Sequence, residues 1–142
     1  KGAAIITGAE EISSWKPYEG TVWTVRIPNG VFADFNPYTT QVSGDWYNAF
    51  YVAHLGEVYL NGKSLYEVET LEGVLNPVIY KKSWDWEFSV YTWYTEQDEE
   101  KNETVLYANF HGADPNKECV EINPCTINVS CVYSKICIHI EP

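Results

Sequence analysis

The sequence predicts an all-β, antiparallel sandwich of jelly-roll type, on three observations. Thr21-Val-Trp-Thr-Val-Arg-Ile27 alternates so that Trp23, Val25 and Ile27 fall on one face and Val22, Thr24 and Arg26 on the other, the pattern of a half-buried strand. Asn61-Gly62 sits between Glu57-Val-Tyr-Leu60 and Lys63-Ser-Leu-Tyr-Glu-Val68. Asn and Gly accept the positive φ angles of a two-residue type I′ hairpin turn, so a hairpin is expected there. Turn signals recur at Lys16-Pro17, Pro28-Asn-Gly30, Asn36-Pro37, Asn76-Pro77 and Asp114-Pro115-Asn116, cutting the chain into short strands.

The remaining elements follow in order. Residues 3–7 form a short apolar run ending at Gly8. Residues 86–95 crowd β-branched and aromatic side chains and read as a strand. Residues 103–110 read as another, with Leu106, Ala108 and Phe110 on one face, and the polar stretch 96–102 reads as the loop between them. No segment has a good helical pattern. Residues 1–123 are expected to form the sandwich domain with a flanking strand at each end, and residues 124–142, rich in Cys and β-branched residues, a divergent tail. Its alternating Ile, Val and Cys residues are suited to pairing as an edge strand.

At 142 residues the chain is of single-domain size. Six Trp, eleven Tyr and five Phe supply more ring surface than such a core needs, so some rings are expected at the surface for contact or self-association into a homo-oligomer. A net charge of −11 disfavours phosphate backbones and anionic lipid. Nucleic acid and membrane surfaces are therefore not expected partners. No apolar run approaches the roughly 18 residues a spanning helix needs, and the first residues do not read as a signal peptide. The lack of any Met, even at position 1, leads us to expect a piece of a longer polypeptide. Solubility is expected; the compartment stays open, with the cytoplasm the first choice.

Chemical motifs are sparse. Cys119, Cys125, Cys131 and Cys137 are evenly spaced, without the close pair that zinc sites usually show. They read as small apolar residues, or as two disulfides if the protein is exported. His54, His111 and His139 share no metal-ligand spacing and read as surface or packing residues, so neither metal nor cofactor is expected. Nucleophile-elbow, Walker and dinucleotide motifs are missing. Acids are plentiful: Asp98, Glu99 and Glu100 read as a solvated loop tip, whereas Asp34, Asp45, Glu57 and Asp114 lie near aromatics and turns and suit hydrogen bonding to sugar hydroxyls. Asp34-Phe-Asn-Pro-Tyr38 followed by Gly44-Asp-Trp46 is the most suggestive stretch. A Trp or Tyr face stacks on the C–H face of a pyranose while Asn and Asp bond its hydroxyls. The competing reading makes Trp46 a core ring and Asn36-Pro37 a plain turn.

Longer motifs narrow the choice. Ile6-Thr-Gly8 with Trp15, Gly20-Thr-Val-Trp23, Phe35-Asn-Pro-Tyr38, Gly44-Asp-Trp46, the stretch from His54 through Asn61-Gly62, Leu65-Tyr-Glu-Val68, Trp93-Tyr94, and Leu106-Tyr-Ala-Asn-Phe110 through Gly112-Ala-Asp-Pro-Asn116 resemble the β-xylosidases of glycoside hydrolase family 120. The resemblance covers residues 4–123 and fades over 78–90. It implies a β-sandwich inserted into a right-handed parallel β-helix, with residues 3–7 and 120–123 as the junction strands. It also implies retaining hydrolysis of xylo-oligosaccharides by an Asp nucleophile and a Glu acid/base on later helix rungs. Those rungs lie outside this sequence, which departs from the family's pattern after Asn123, so no catalytic residue and no activity of the chain alone are expected. The expected partners are a xylo-oligosaccharide or related neutral sugar and the remaining β-helix. Trp46 is similar to a Trp beside the family's sugar subsite, and Asp45, Asn36 and Tyr38 are expected to accompany it. A free-standing carbohydrate-binding module and a structural or assembly sandwich are the alternatives.

Overall fold

A computed structural model describes residues 4–7, 9–43, 53–79, 85–124 and 137–140. Two sheets face each other, as expected. The larger has the order β3-β4-β9-β8-β7, built from β3 (Lys16–Glu19), β4 (Val22–Pro28), β7 (Tyr66–Glu67), β8 (Thr92–Asp98) and β9 (Glu103–Asn109). The smaller has the order β2-β10-β5-β6, from β2 (Glu10–Glu11), β5 (Val58–Leu60), β6 (Lys63–Ser64) and β10 (Val120–Ile122). All described pairings are antiparallel except β7 with β8, which is parallel. Outside the sandwich, β1 (Ala4–Thr7) pairs antiparallel with β11 (Cys137–Ile140), so part of the tail is strand, as its alternation suggested.

The main core lies between the sheets. Val25 and Ile27 of β4 and Leu106 and Ala108 of β9 pack against Val58 and Leu60 of β5 and Val120 and Ile122 of β10, with Trp15, Phe32, Tyr38, Trp93 and Phe110 filling the space. The alternation in residues 21–27 therefore has the predicted sense, with Trp23 at the margin. A second cluster covers the outer face of the larger sheet. There Val22, Val105 and Tyr107 pack against Val74 of a short helix, α1 (Leu71–Leu75), with Val68, Leu71 and Leu75 beside them. The Thr70 hydroxyl caps this helix, accepting from the Gly73 N–H at 3.2 Å. Strand β9 is consequently buried on both faces, which a one-sided reading of its alternation did not foresee.

Two boundaries differ from expectation. Trp86–Val90 is a 3-10 helix, and only residues 92–98 are extended. Its turns are closed by Phe88 N–H to the Asp85 carbonyl and Tyr91 N–H to the Phe88 carbonyl, and the Phe88 and Tyr91 rings stack at 4.3 Å. At the other end β8 runs through Asp98, because its polar side chains find partners on neighbouring strands. The Tyr107 hydroxyl donates to Glu96 at 2.9 Å, and Arg26 bridges Asp98 at 2.7 Å and Glu103 at 3.1 Å. The hairpin between β5 and β6 is as predicted: Asn61 and Gly62 have φ of 52° and 78°, and Leu60 faces Lys63. Val120–Ile122, within the stretch 120–123 expected as a junction strand, is hydrogen-bonded to β2 on one side and β5 on the other.

Candidate functional site

One end of the sandwich gathers the polar groups. Residues 37–43 and 53–56 run side by side: Gly56 N–H donates to the Pro37 carbonyl, Leu55 N–H to the Thr40 carbonyl and Val42 N–H to the Ala53 carbonyl, at 2.8–3.0 Å. This ladder holds Val42 and Ala53 side by side. Next to it the chain leaves the hairpin, crosses from one sheet to the other at Leu65, and lays Glu67 opposite Trp93. Between the ladder and the crossing strand lies a cleft of about 500 Å³, bordered by Val42, Ala53, His54, Glu57, Leu65 and Trp93.

Its charges are locally matched. His54 gives Glu67 two contacts, its backbone N–H donating to one carboxylate oxygen at 2.7 Å and its Nδ1 lying 2.6 Å from the other. The Ser64 hydroxyl donates to the Glu57 carboxylate. Lys63 reaches Asp85 at 2.8 Å and sits 4.0 Å above the Phe88 ring. Burial pushes the Glu57 carboxyl above the usual range, the Ser64 bond pulls it back, and the nearby Glu67 charge pushes it further up. A wall with carboxylate acceptors, hydroxyl and ammonium donors and an apolar floor suits a neutral polyhydroxy ligand.

Glu57 supplies a pH test with a definite sign. Its raised pKa means that the folded chain holds this proton to higher pH than the unfolded chain does. The resulting contribution to stability is present at low pH and is lost as pH rises from about 4.3 through the folded value. We expect Glu57→Gln, which keeps an acceptor for Ser64, to remove this decline: its urea midpoint relative to the parent should rise between pH 4 and pH 7. A constant difference would show that Glu57 titrates as in the unfolded chain.

The residues expected from the sequence fare differently. Asp45 and Trp46 lie outside the described residues. Tyr38 is 1% exposed, its ring enclosed by Phe32 and Trp93 and its hydroxyl donating to the Glu57 carbonyl at 2.6 Å. Neither a ring face nor a hydroxyl is left for a sugar, so the structure corrects that expectation. Asn36 is likewise a scaffold residue: its amide NH₂ donates to Thr104 Oγ1 at 2.8 Å and its side-chain oxygen caps the Tyr38 N–H at 2.9 Å. For Asn36-Pro37 these are the bonds of a plain turn. Asp114 ties Lys117 and the Asn116 N–H in its own turn, while Glu57 lines the cleft. The His54–Glu67 pair was missed; His54 read as a surface or packing residue.

Among the described residues no group of His, Cys, Asp and Glu could hold a metal, and no helix is long and apolar enough to cross a membrane. Cys119 is exposed and free.

The family described as glycoside hydrolase 120, insertion domain, matches residues 12–122. The chain belongs to that family. The motif resemblance is thereby confirmed, and the matched region takes in every strand of the two sheets except β2, which directly precedes it. A solved structure of XylC in complex with xylose is 44% identical and superposes with a TM-score of 0.75 over 83% of this chain. The insertion domain spans only 20% of the XylC chain. No curated protein matches it.

Proposed function

We propose that this insertion domain is the accessory sandwich of a retaining β-xylosidase acting on xylo-oligosaccharides. It shapes one wall of the substrate pocket, and the catalytic carboxylate pair belongs to the β-helix of the parent polypeptide. The likeness to one fifth of XylC, a protein solved with xylose, carries this reading. Trp46 supplies a stacking face and Asp45 a hydrogen-bonding carboxylate, both falling in sequence between Val42 and Ala53, which line the cleft. Asn36 and Tyr38 act one step back, holding the chain that leads into that segment.

Replacing Trp46 by Ala tests this. In the 142-residue chain, the thermal midpoint should move by no more than about 2 °C, as for an exposed side chain. In the parent enzyme the loss of stacking should raise KM for xylobiose about tenfold, a difference of roughly 1.4 kcal/mol. Severe destabilisation with unchanged kinetics would place Trp46 in the core and sink the assignment. Xylo-oligosaccharide binding by the isolated chain would instead favour a free-standing binding module, a reading that the polar cleft wall supports.

A further inference from the structure

We infer that the groove at the opposite edge of the sandwich, beside β2, β3 and β4, where the matched region begins and ends, is the seat on which the rest of the parent polypeptide docks. The inference rests on the reading of the chain as an inserted domain and says which face meets the host and what that host presents.

Three observations converge there. The two ends of the matched region are neighbours: Ile12 N–H donates to the Val120 carbonyl at 2.8 Å, and just before the match Glu10 and Glu11 pair with Ile122 and Glu121. A host chain can therefore leave through β2 and return through β10 without a gap between its two junctions. Beside these strands the sheets part around a groove of about 500 Å³, whose wall includes Ile12, Val25, Ile27, Val31, Ile122 and Pro124. Val31, at the rim on the 3-10 turn after β4, is 52% exposed, an apolar side chain with nothing over it among the described residues.

The third observation is charge. Glu11 stands directly across from Glu121, with Glu10 alongside, and none of the three has an ion-pair partner among the described residues. Like charges opposite one another on paired strands repel. Lys16 and Arg26 also line the groove, Arg26 already engaged by Asp98 and Glu103, so the unpaired negative charge is concentrated on the β2–β10 side, where it fits an apolar ridge carrying Lys or Arg. The four-fifths of the XylC chain beyond this region shows how much polypeptide a host offers.

The test compares amide hydrogen exchange in the 142-residue chain and in the longest polypeptide encoded by the same reading frame, each with and without Val31→Asp. Docking predicts at least tenfold slower exchange at residues 12–16 and 29–33 when the host is present. Val31→Asp should leave the melting temperature of the short chain within about 2 °C and lower that of the longer one by several degrees, with loss of the extra protection. Equal protection in a polypeptide that does contain the host would overturn the inference while leaving the parent reading intact. So would a dimer of the short chain that Val31→Asp dissolves, since the occupant would then be a second copy. A reading frame that ends at Pro142 would sink the parent reading and this inference with it.

Discussion

Tyr38→Ala is expected to lower stability by about 3–5 kcal/mol, the cost of emptying a large aromatic site in a packed core. For a chain of this size that is a fall of about 10 °C or more in melting temperature. The reason is the number of segments that meet on this one side chain. Its ring stands edge-on to Trp93, with centroids 5.7 Å apart, and packs against Phe32. Its hydroxyl donates to the Glu57 carbonyl, beside the Asn123 side-chain oxygen that accepts from the Glu57 N–H at 2.6 Å. The loop before the ladder, the start of the hairpin and the end of β10 are thus pinned together. Tyr38→Phe, which keeps the ring and loses only the hydroxyl, should cost about 1 kcal/mol, up to about 3 if the Glu57 carbonyl stays dry and unpaired. Urea unfolding of the three proteins decides the matter. An alanine variant as stable as the parent would mean that the ring is not the packing element described here.

Tyr38 also shows where sequence reasoning stops. An aromatic beside Asn, Pro and Gly in an acidic, ring-rich chain fits a sugar platform and a core ring equally well, because both uses need a flat apolar face with a polar rim. Only burial separates them, and burial depends on which strands face the loop. The hairpin was legible because its signal is local: positive φ at two successive residues is a property of Asn-Gly itself. Its register, Tyr59 opposite Ser64, puts Glu57 within reach of Ser64 and could have flagged that pair. The His54–Glu67 pair was not legible, since it forms only after the chain leaves one sheet at Leu65 and joins the other beside Trp93. The same holds for β9, where the outward Val105 and Tyr107 are buried by α1, whose five residues were too few to show a helical period. Crowded aromatic and β-branched residues at 86–90 suggested a strand, yet turn bonds and the Phe88–Tyr91 stack close them into a 3-10 helix.

Gly56→Ala should be as damaging as a cavity in the core, for the opposite reason. A Cβ at position 56 would lie 2.4 Å from Tyr38 Cδ1 and 2.5 Å from Cε1, well inside contact distance. The ring cannot retreat, because Phe32 and Trp93 enclose it. The backbone of Gly56 cannot easily yield either, as its N–H is bonded to the Pro37 carbonyl in the ladder of residues 37–43 and 53–56. Forcing extra volume into a packed site typically costs about 1–3 kcal/mol, and with both partners held we expect the upper end or more. Gly62→Ala is the control: no atom lies within 4 Å of its added Cβ, and its φ of +78° brings conformational strain alone. The decisive measurement is a double-mutant cycle. With Tyr38→Ala already in place the clash has nothing to strike, so Gly56→Ala should then cost little, and the two changes together should be less destabilising than their sum by at least about 1 kcal/mol. Strict additivity would show that Gly56 is required for its backbone and not for the space it leaves to Tyr38.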